Sequence, residues 1–434
     1  MTPWSGRRLH FVGIGGAGMS GLALVAKQLG AEVTGSDRAE SSYSARLRAA
    51  GIEPAIGHDA QNVPPEADVV VSTAIPESNP ELERARELGL RVLHRGDLLA
   101  EVAGLKRSIA VAGAHGKTTT TGMLAHILRA TGRDPAFVIG GELREAGTNA
   151  AWGDGDWIVV EADESDRSFL KLSPDVAVIT NIELDHHTTY ASEADLIEAF
   201  EEFAANAGDV IAWTDAPIEA NARRFTLPAE MDLVPGGSRF QVDGAAVQLH
   251  VPGEHNVLNA LAALAAAEAA GVPLAEAALA LAGFDGTGRR FEPRGKTSSG
   301  ARIFDDYAHH PTEVRATIAA AKTLGADRVV AVFQPHLYSR TQHLAKDFGH
   351  ALSTADAAMV VDIYPAREQA ADYPGVTGYL VAAATAANAA GRPVWWIPSM
   401  DAAAVVLAHE LEEGDVLLTL GAGNVDSLAE RMAA

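Results

Sequence analysis

The chain has 434 residues, 47% of them hydrophobic, with no cysteine and a formal net charge of −23. Its length predicts two or three globular domains, and the absence of cysteine excludes a disulfide framework and thiol catalysis. The negative charge argues against broad nucleic-acid binding and against docking on anionic lipid, but it leaves room for small anionic ligands held by glycine turns or metal ions. No signal peptide or membrane span is predicted, so we expect a cytoplasmic protein without membrane insertion.

The first segment alternates short apolar stretches with amphipathic ones, which predicts a parallel sheet covered by helices. The predicted strands are 9–14, 32–35, 68–72 and 91–94, and the predicted helices are 19–29, 43–50 and 81–88. The first strand runs into a GxGxxG pattern at residues 13–18, which predicts phosphate binding at a strand–helix junction. Asp37 follows the second strand at the spacing where dinucleotide folds place a ribose-binding acid.

The second segment opens with a glycine turn, Gly113-Ala114-His115-Gly116-Lys117-Thr118, between an apolar strand at 108–111 and a helical stretch at 123–131. Glycine lets the backbone turn closely around an anion, and the amides at the helix start point at phosphate oxygens. Lys117 can reach the β- and γ-phosphates, and Thr118 offers a hydroxyl to Mg²⁺. The turn predicts a nucleoside-triphosphate site, although Val111 stands where the common eight-residue motif has glycine.

Acids and histidines follow the next two predicted strands of this segment, 157–160 and 175–179. Glu161 is the acid nearest the end of its strand, where a phosphate-binding domain usually holds Mg²⁺; the alternative is a solvated acidic turn. Asp185 and His186 are interpreted either as a second metal site or as structural residues, and neither interpretation is preferred.

Asn256 directly precedes an Ala/Leu-rich predicted helix at 257–270. It is interpreted either as the cap of that helix or as a hydrogen-bonding partner of an adenine edge.

The third segment alternates again and carries a polar cluster after most of its strands. The predicted strands are 302–305, 328–333, 357–363, 394–397 and 416–420, with helices at 313–324 and 344–352. The polar clusters are 305–311, 334–341, 362–368 and 421–424. Because ligands of open parallel sheets bind beyond the carboxyl ends of the strands, the four clusters together predict ligand binding in this segment, although any one of them alone is also explained as an ordinary loop.

Seven stretches together resemble the Mur ligases of peptidoglycan synthesis over essentially the whole chain. They are 10–21, 113–121, 161–165, 180–186, 253–256, 289–291 and 305–312. The resemblance implies an α/β protein of three domains. These are a Rossmann-like UDP-sugar-binding domain at 1–105, a central P-loop ATPase domain at 106–293 and a Rossmann-like amino-acid-binding domain at 294–434.

The resemblance also implies a role for each position that matches a family motif. The ATP-binding positions are Gly113, Ala114, His115, Gly116, Lys117, Thr118, Thr119, Asn256, Arg290 and Asp306. The UDP-sugar-binding positions are Gly15, Gly16, Ala17, Gly18, Met19, Ser20, Asp37, Ser72 and Thr73. The amino-acid-binding positions are Tyr307, His309 and Arg340. The metal-binding positions are Thr118, Glu161 and His186. The positions expected in catalysis are Lys117, His186, Arg290, His309 and His310.

The implied activity is the ATP-dependent joining of L-alanine to the lactyl carboxylate of UDP-N-acetylmuramic acid through an acyl phosphate. Two Mg²⁺ ions, which Mn²⁺ can replace, are expected as cofactors, and the expected partners are small molecules, with no nucleic acid and a monomeric or homodimeric state. The run Gly18-Met19-Ser20-Gly21 favours alanine addition over recycling of murein tripeptide. One position departs from the family: many relatives have Arg where this chain has Leu337, so Arg340 stands alone in that motif.

Three other hypotheses remain open at this stage. A nicotinamide oxidoreductase would explain residues 13–18 and Asp37 but not the glycine turn at 113–118. A non-catalytic sensor of UDP-sugar and ATP would leave the polar clusters of the third segment without a function. A ligase of the same class would add serine, glycine or a tripeptide. His309 and His310 are both candidates for the base that deprotonates the incoming amine.

Overall fold

The computed structural model describes residues 3–185 and 189–433. Its contacts divide the chain into two compact units, one of Met1–Leu227 with Leu258–Leu281 and one of Pro228–Val257 with Ala282–Ala434. Throughout the described residues, no helix is both long enough and apolar enough to cross a lipid bilayer.

The first unit begins with a five-stranded parallel sheet. Its strands are β1 (Arg8–Val12), β2 (Glu32–Asp37), β3 (Ala55–Ile56), β4 (Asp68–Val71) and β5 (Val92–His94). Its helices are α1 (Ala17–Gln28), α2 (Ser44–Ala49), α3 (Pro80–Glu87) and α4 (Arg95–Ala103). The strand order β3-β2-β1-β4-β5 is that of a Rossmann fold and places the turn after β1 at the point where the order reverses.

A seven-stranded sheet follows in the same unit. Its strands are β6 (Arg107–Ala112), β7 (Ala136–Leu143), β8 (Thr148–Ala151), β9 (Trp157–Glu161), β10 (Val176–Ile179), β11 (Asp209–Trp213) and β12 (Arg223–Phe225). The helices are α5 (Lys117–Ala130), α6 (Glu193–Ala205), α7 (Glu254–Ala269) and α8 (Leu274–Leu281). The order is β12-β11-β10-β6-β9-β7-β8, and among the described strands of this sheet only the β7–β8 pair is antiparallel.

The two sheets of the first unit share one apolar core, because α1 packs on β7 and β8. A Cβ on Gly21 would lie only 3.2–3.4 Å from side-chain atoms of Asn149, Ala150 and Val138. Glycine at this position therefore allows the close approach of the helix to the hairpin.

The second unit contains a small antiparallel sheet and a six-stranded sheet. The small sheet consists of β13 (Met231–Val234), β14 (Gly237–Val242) and β15 (Ala245–Leu249). The larger one consists of β16 (Glu292–Lys296), β17 (Arg302–Asp306), β18 (Val329–Phe333), β19 (Ala357–Val360), β20 (Val394–Trp396) and β21 (Val416–Leu420). Its order is β16-β17-β21-β18-β19-β20, and only β16 runs antiparallel to its neighbour.

Five helices accompany these strands. They are α9 (Pro311–Lys322), α10 (Tyr338–Leu352), α11 (Gly378–Asn388), α12 (Met400–Glu410) and α13 (Asp426–Met432). The predicted α/β fold class is confirmed by the three sheets with parallel strands and covering helices. The predicted domain boundaries stay predictions.

Candidate functional site

Three of the sequence clusters in the first unit meet at one edge of the seven-stranded sheet. The strands β10, β6 and β9 are neighbours and run in parallel. The residues that follow their carboxyl ends therefore lie side by side. This edge brings together the glycine turn at 113–116, the acidic run at 161–166 and the polar residues at 180–185.

The glycine turn after β6 is held in a conformation that only glycine accepts. Gly113 has φ of 140° and Gly116 has φ of 80°. A Cβ on Gly113 would lie 2.1 Å from Thr180 Oγ1. The Thr180 hydroxyl donates to the His115 carbonyl at 2.6 Å, and Asn181 Oδ1 accepts the His115 amide at 2.9 Å. The turn leads straight into α5, whose first amides have no intrahelical partner and face an anion favourably.

Lys117 begins α5 and folds back onto the turn. Its Nζ donates to the Gly113 carbonyl at 2.6 Å and lies 2.9 Å from Glu164 Oε2. Burial lowers the pKa of Lys117, but Glu164 and Asp163 outweigh burial and raise the pKa above its ordinary value. The ammonium is therefore charged and held within the turn. Sequence reasoning did not single out Glu164, because nothing in the acidic run distinguishes it from its neighbours.

Glu161 and Thr118 form a group that suits a divalent cation. The Thr118 hydroxyl donates to Glu161 Oε1 at 3.2 Å, and the Gly140 amide donates to Glu161 Oε2 at 2.7 Å. A Cβ on Gly140 would lie 2.7 Å from Glu161 Oε2, so a side chain at this position would displace the carboxylate. A carboxylate fixed beside a hydroxyl supplies the hard oxygen ligands that Mg²⁺ prefers. These residues fit the predicted ion.

The predicted second metal ligand cannot be placed, since His186 lies outside the described residues. Of its neighbours, Asp185 is buried. His115, predicted to bind ATP, has its Nε2 2.9 Å from Glu183 Oε2.

The predicted UDP-sugar site lies at the corresponding edge of the five-stranded sheet. The Gly15 amide donates to Asp37 Oδ2 at 2.8 Å, so the acid after β2 fixes the glycine turn after β1. A Cβ on Gly15 would lie 2.8 Å from Ser41 Oγ, which leaves no room for a side chain. Ser72 and Thr73 follow β4, the other neighbour of β1, and therefore share this edge.

Two predicted residues of this site lie inside the fold. Met19 and Ser20 are buried in the first turn of α1. The Ser20 hydroxyl donates to the Ala17 carbonyl at 3.0 Å, and the Asn149 amide nitrogen donates to Ser20 Oγ at 3.1 Å. These contacts fix the Ala17 carbonyl next to the glycine turn.

In the second unit, the four polar clusters share one edge of the six-stranded sheet, as the sequence predicts. They follow β17, β21, β18 and β19, which are consecutive in that sheet. Gln334 donates to Asn424 at 2.9 Å, and the His336 ring stacks on Tyr364 with centroids 5.7 Å apart. The clusters therefore contact one another directly.

Two consecutive arginines have different roles at this edge. Arg289 donates to Asp305 Oδ2 at 3.0 Å and to the carbonyls of Gly421 and Gly423 at 2.8 and 3.0 Å. It ties the ends of β17 and β21 together, a role that the sequence did not predict. Arg290 instead lies 3.5 Å from Glu313, and its guanidinium lies 5.3 Å from the ring centroid of Tyr307.

Asp306, predicted to bind nucleotide, accepts the amides of Phe291 and Ala308, both at 2.8 Å. Burial raises its pKa to about 6, and the nearby Arg290 opposes that rise. Asp306 thus fixes the backbone next to Arg290 and Tyr307. Phe291 has φ of 48°, a strained value for a bulky residue.

The two adjacent histidines, His309 and His310, carry the proton of the neutral ring on different nitrogens. His309 Nδ1 lies 2.9 Å from the Tyr307 carbonyl, which can only accept, so the neutral ring carries its proton on Nδ1 and keeps a lone pair on Nε2. His310 caps α9, and its Nδ1 accepts the Thr312 amide at 3.4 Å. The neutral His310 ring therefore carries its proton on Nε2.

Arg340, predicted to bind the amino acid, lies in the first turn of α10 with 8% of its surface exposed. Its Nη1 is 3.4 Å from His336 Nδ1, and the His336 ring lies 6.4 Å from that of His309. Leu337, the position where the family resemblance leads us to expect arginine, has φ of 70° and a buried side chain. His336 and Tyr364 complete this group, although neither was among the predicted site residues.

Asn256 does not cap α7, so that interpretation is wrong. The helix begins at Glu254, three residues before the position 257 that a cap at Asn256 requires. The Asn256 side-chain nitrogen donates to the Pro252 carbonyl at 2.7 Å, whereas a cap accepts a backbone amide. Its predicted contact with adenine stays a prediction.

Three family models match consecutive parts of the chain. The model of the Mur ligase family, catalytic domain, matches residues 8–107, and that of the Mur ligase middle domain matches residues 111–267. The model of the Mur ligase, glutamate ligase domain, matches residues 289–423. Together they span most of the sequence.

Named relatives match over nearly the full length. UDP-N-acetylmuramate–L-alanine ligase of Streptomyces coelicolor is 46% identical, over 98% of this chain and 96% of the relative. The structure of UDP-N-acetylmuramate-alanine ligase from Thermotoga maritima is 30% identical with a TM-score of 0.86, and 98% of each chain is covered. A murein peptide ligase from Psychrobacter arcticus is 26% identical with a TM-score of 0.72, again over 98% of both chains.

Proposed function

The chain belongs to the Mur ligase family, and from that premise we propose that it joins L-alanine to the lactyl carboxylate of UDP-N-acetylmuramic acid. ATP is converted to ADP and phosphate in the same reaction. The observation that carries the proposal is the full-length identity of 46% with a ligase named for these substrates. The setting is the cytoplasmic synthesis of peptidoglycan precursors.

In the first step, a lactyl carboxylate oxygen bonds to the γ-phosphorus of ATP while the bond to the bridging oxygen of ADP breaks. An anion thereby approaches a polyanion, and two unit charges 4 Å apart repel by about 4 kcal/mol at an effective dielectric constant of 20. Lys117 supplies positive charge from the turn. Two residues of the second unit, Arg290 and Asp306, are assigned to nucleotide binding. The first amides of α5 add the positive end of a helix dipole.

Thr118 and Glu161 are the residues that would hold Mg²⁺, as their fixed oxygens suit that ion. When bound, the ion offsets phosphate charge during phosphoryl transfer. The second ion expected from the sequence would involve His186.

In the second step, the amine of alanine attacks the acyl carbon and inorganic phosphate leaves. The alanine ammonium must first lose a proton, and we assign His309 Nε2 as the acceptor because Nδ1 is committed to the Tyr307 carbonyl. Arg340 binds the alanine carboxylate, with His336 beside it. Water must be excluded from the acyl phosphate while both substrates are in place.

Three alternatives give different products or none. A murein peptide ligase would use a tripeptide, but the structure of that type has the lower TM-score, 0.72 against 0.86. A nicotinamide oxidoreductase leaves the turn around Lys117 without a function. A sensor would bind UDP-sugar and ATP without releasing ADP.

The test is an ADP-release assay with UDP-N-acetylmuramic acid and a panel of alanine, serine, glycine and murein tripeptide. We expect release that requires the sugar nucleotide and is fastest with alanine. Faster release with the tripeptide would reassign the substrate. Binding without release in every mixture would support a sensor.

A further inference from the structure

Arg95, the first residue of α4, connects the two predicted anion sites of the first unit. Its Nη2 donates to Asp163 at 2.6 Å and to Asp166 at 3.0 Å, both in the acidic run after β9. Asp163 is the neighbour of Glu164, which holds Lys117. One side of the guanidinium therefore faces the phosphate-binding turn.

The other side of the guanidinium faces the glycine turn after β1. Arg95 Nη1 lies 3.4 Å from the position that a Cβ on Gly18 would occupy. Among the described residues, no hydrogen bond is made by Nη1 or by Nε of Arg95. Gly18 is the last glycine of the GxGxxG pattern and lies in the first turn of α1, at the positive end of the helix.

The free donors point to a ligand rather than to a purely structural role. Both carboxylates contact Arg95 through the single nitrogen Nη2, so these ion pairs leave its other donors unused. A guanidinium presents five donors in a rigid planar fork, which suits a second, anionic partner. The side chain is 20% exposed, so this edge of the fork is partly accessible.

We propose that Arg95 is a substrate-binding residue that donates through Nη1 and Nε to an anionic group of the sugar nucleotide, while Nη2 stays on Asp163 and Asp166. The assignment rests on the proposed function. The anionic group is the diphosphate or the lactyl carboxylate, because the substrate must extend from the glycine turn to the phosphate-binding turn. Asp163 then links the sugar-nucleotide contact to the turn that holds Lys117.

The experiment measures equilibrium binding by titration calorimetry, without ATP or alanine, so that turnover plays no part. The ligands are UDP-N-acetylmuramic acid and UDP-N-acetylglucosamine, which has the same diphosphate but no lactyl carboxylate. The variants are Arg95→Lys, Arg95→Ala and Asp166→Asn. Arg91→Lys is the matched control, because Arg91 pairs with Glu101 in the same sheet region and faces solvent. Thermal melting accompanies each variant.

Arg95→Lys keeps a cation beside Asp163 but loses the fork, so we expect the dissociation constant for UDP-N-acetylmuramic acid to rise at least about fivefold. Arg95→Ala should raise it at least about tenfold, as loss of a charged hydrogen bond does. Asp166→Asn and Arg91→Lys should stay within about twofold of the original protein. An equal loss for UDP-N-acetylglucosamine assigns the contact to the diphosphate, and a loss confined to UDP-N-acetylmuramic acid assigns it to the carboxylate.

Unchanged binding by Arg95→Lys would overturn the proposal, and so would an Asp166→Asn loss as large as that of Arg95→Ala. Either result would make Arg95 a structural tie only. If Arg95→Ala does not fold, Arg95→Lys still decides. Failure of the original protein to bind UDP-N-acetylmuramic acid would instead count against the proposed function, which separates the two outcomes.

Discussion

The ammonium nitrogen of Lys117 lies 2.9 Å from the Glu164 carboxylate, so the cation of the glycine turn is already paired with an acid of the protein. Both side chains are largely buried, with 14% and 3% of their surfaces exposed. Under the proposed function, a bound triphosphate would compete with Glu164 for Lys117. The pair keeps the buried cation satisfied until nucleotide arrives, which avoids the cost of an unpaired buried charge.

Replacing Lys117 with methionine should strongly reduce phosphate release. The variant also leaves the buried Glu164 carboxylate without its partner, so a thermal melt must first show that it is folded at the assay temperature. The γ-phosphate loses its nearest protein cation, and we expect kcat to fall at least about 100-fold, which corresponds to about 3 kcal/mol of transition-state stabilisation. Steady-state phosphate release with all three substrates measures the effect. A rate within a few-fold of the original would refute the role of Lys117.

Glu164→Gln is the contrasting variant for this pair. It leaves Lys117 without its carboxylate partner, and loss of one partner of a buried pair costs about 3 kcal/mol of stability. We expect a lower melting temperature without nucleotide and a partial recovery with saturating ATP, because phosphate then satisfies Lys117. A melting temperature that is unchanged without ATP would mean that the ion pair contributes nothing to the fold.

Glu161→Gln should raise the Mg²⁺ concentration needed for half-maximal activity. The variant keeps the size of the side chain and removes the charge of the carboxylate that accepts from Thr118 and Gly140. We expect this Mg²⁺ concentration to rise about tenfold or more, which is the lower end of the effect of losing one charged ligand. Glu276→Gln is the control, since that acid faces solvent in an ion pair with Arg133. Equal Mg²⁺ dependence of both variants would place the ion elsewhere.

Arg340→Ala should raise KM for alanine and spare binding of the sugar nucleotide. A charged hydrogen bond to a carboxylate contributes about 1.5–3 kcal/mol, so a rise in KM of about 10- to 100-fold is expected. Arg328→Ala is a suitable control, because Arg328 pairs with Asp415 at 2.6 Å at the opposite end of β18. Equal losses for alanine and the sugar nucleotide would contradict the assignment.

Glu81 makes the first unit sensitive to acid. Its carboxylate is fully buried in α3, 3.1 Å from His10 Nε2 and 2.6 Å from the Ser36 hydroxyl. Burial raises its pKa, but the hydrogen bonds from His10, Ser36 and Asn62 outweigh burial and lower the pKa to about 2. Because this pKa lies below that of the unfolded chain, ionised Glu81 stabilises the fold at neutral pH.

That stabilisation, about 3 kcal/mol from the size of the pKa difference, is lost as pH falls from about 4.5 through about 2. Glu81→Gln should therefore reduce the free energy of unfolding at pH 7 and flatten its decline in acid. Urea denaturation at several pH values measures both. Parallel curves for the variant and the original protein would show that Glu81 does not titrate in this range.

The local signals in the sequence were sufficient for the strands that were predicted, the glycine turns and Lys117, because each depends on neighbours along the chain. The strands β3, β7, β8 and β11 to β16 were not predicted. Arg95 carried no such signal: its partners Asp163 and Asp166 come from a different sheet. The same holds for Arg289, whose carbonyl partners follow β21. The left-handed backbone at Leu337 arises from its contacts with residues after β19 and has no local cause in the sequence.

The proposed reaction is tested by following product formation from UDP-N-acetylmuramic acid, L-alanine and ATP by mass spectrometry together with ADP release. We expect one UDP-N-acetylmuramoyl-alanine and one ADP per turnover, with neither product formed when any substrate is omitted. ADP release that is independent of the sugar nucleotide, or no alanine adduct with all three substrates present, would contradict it.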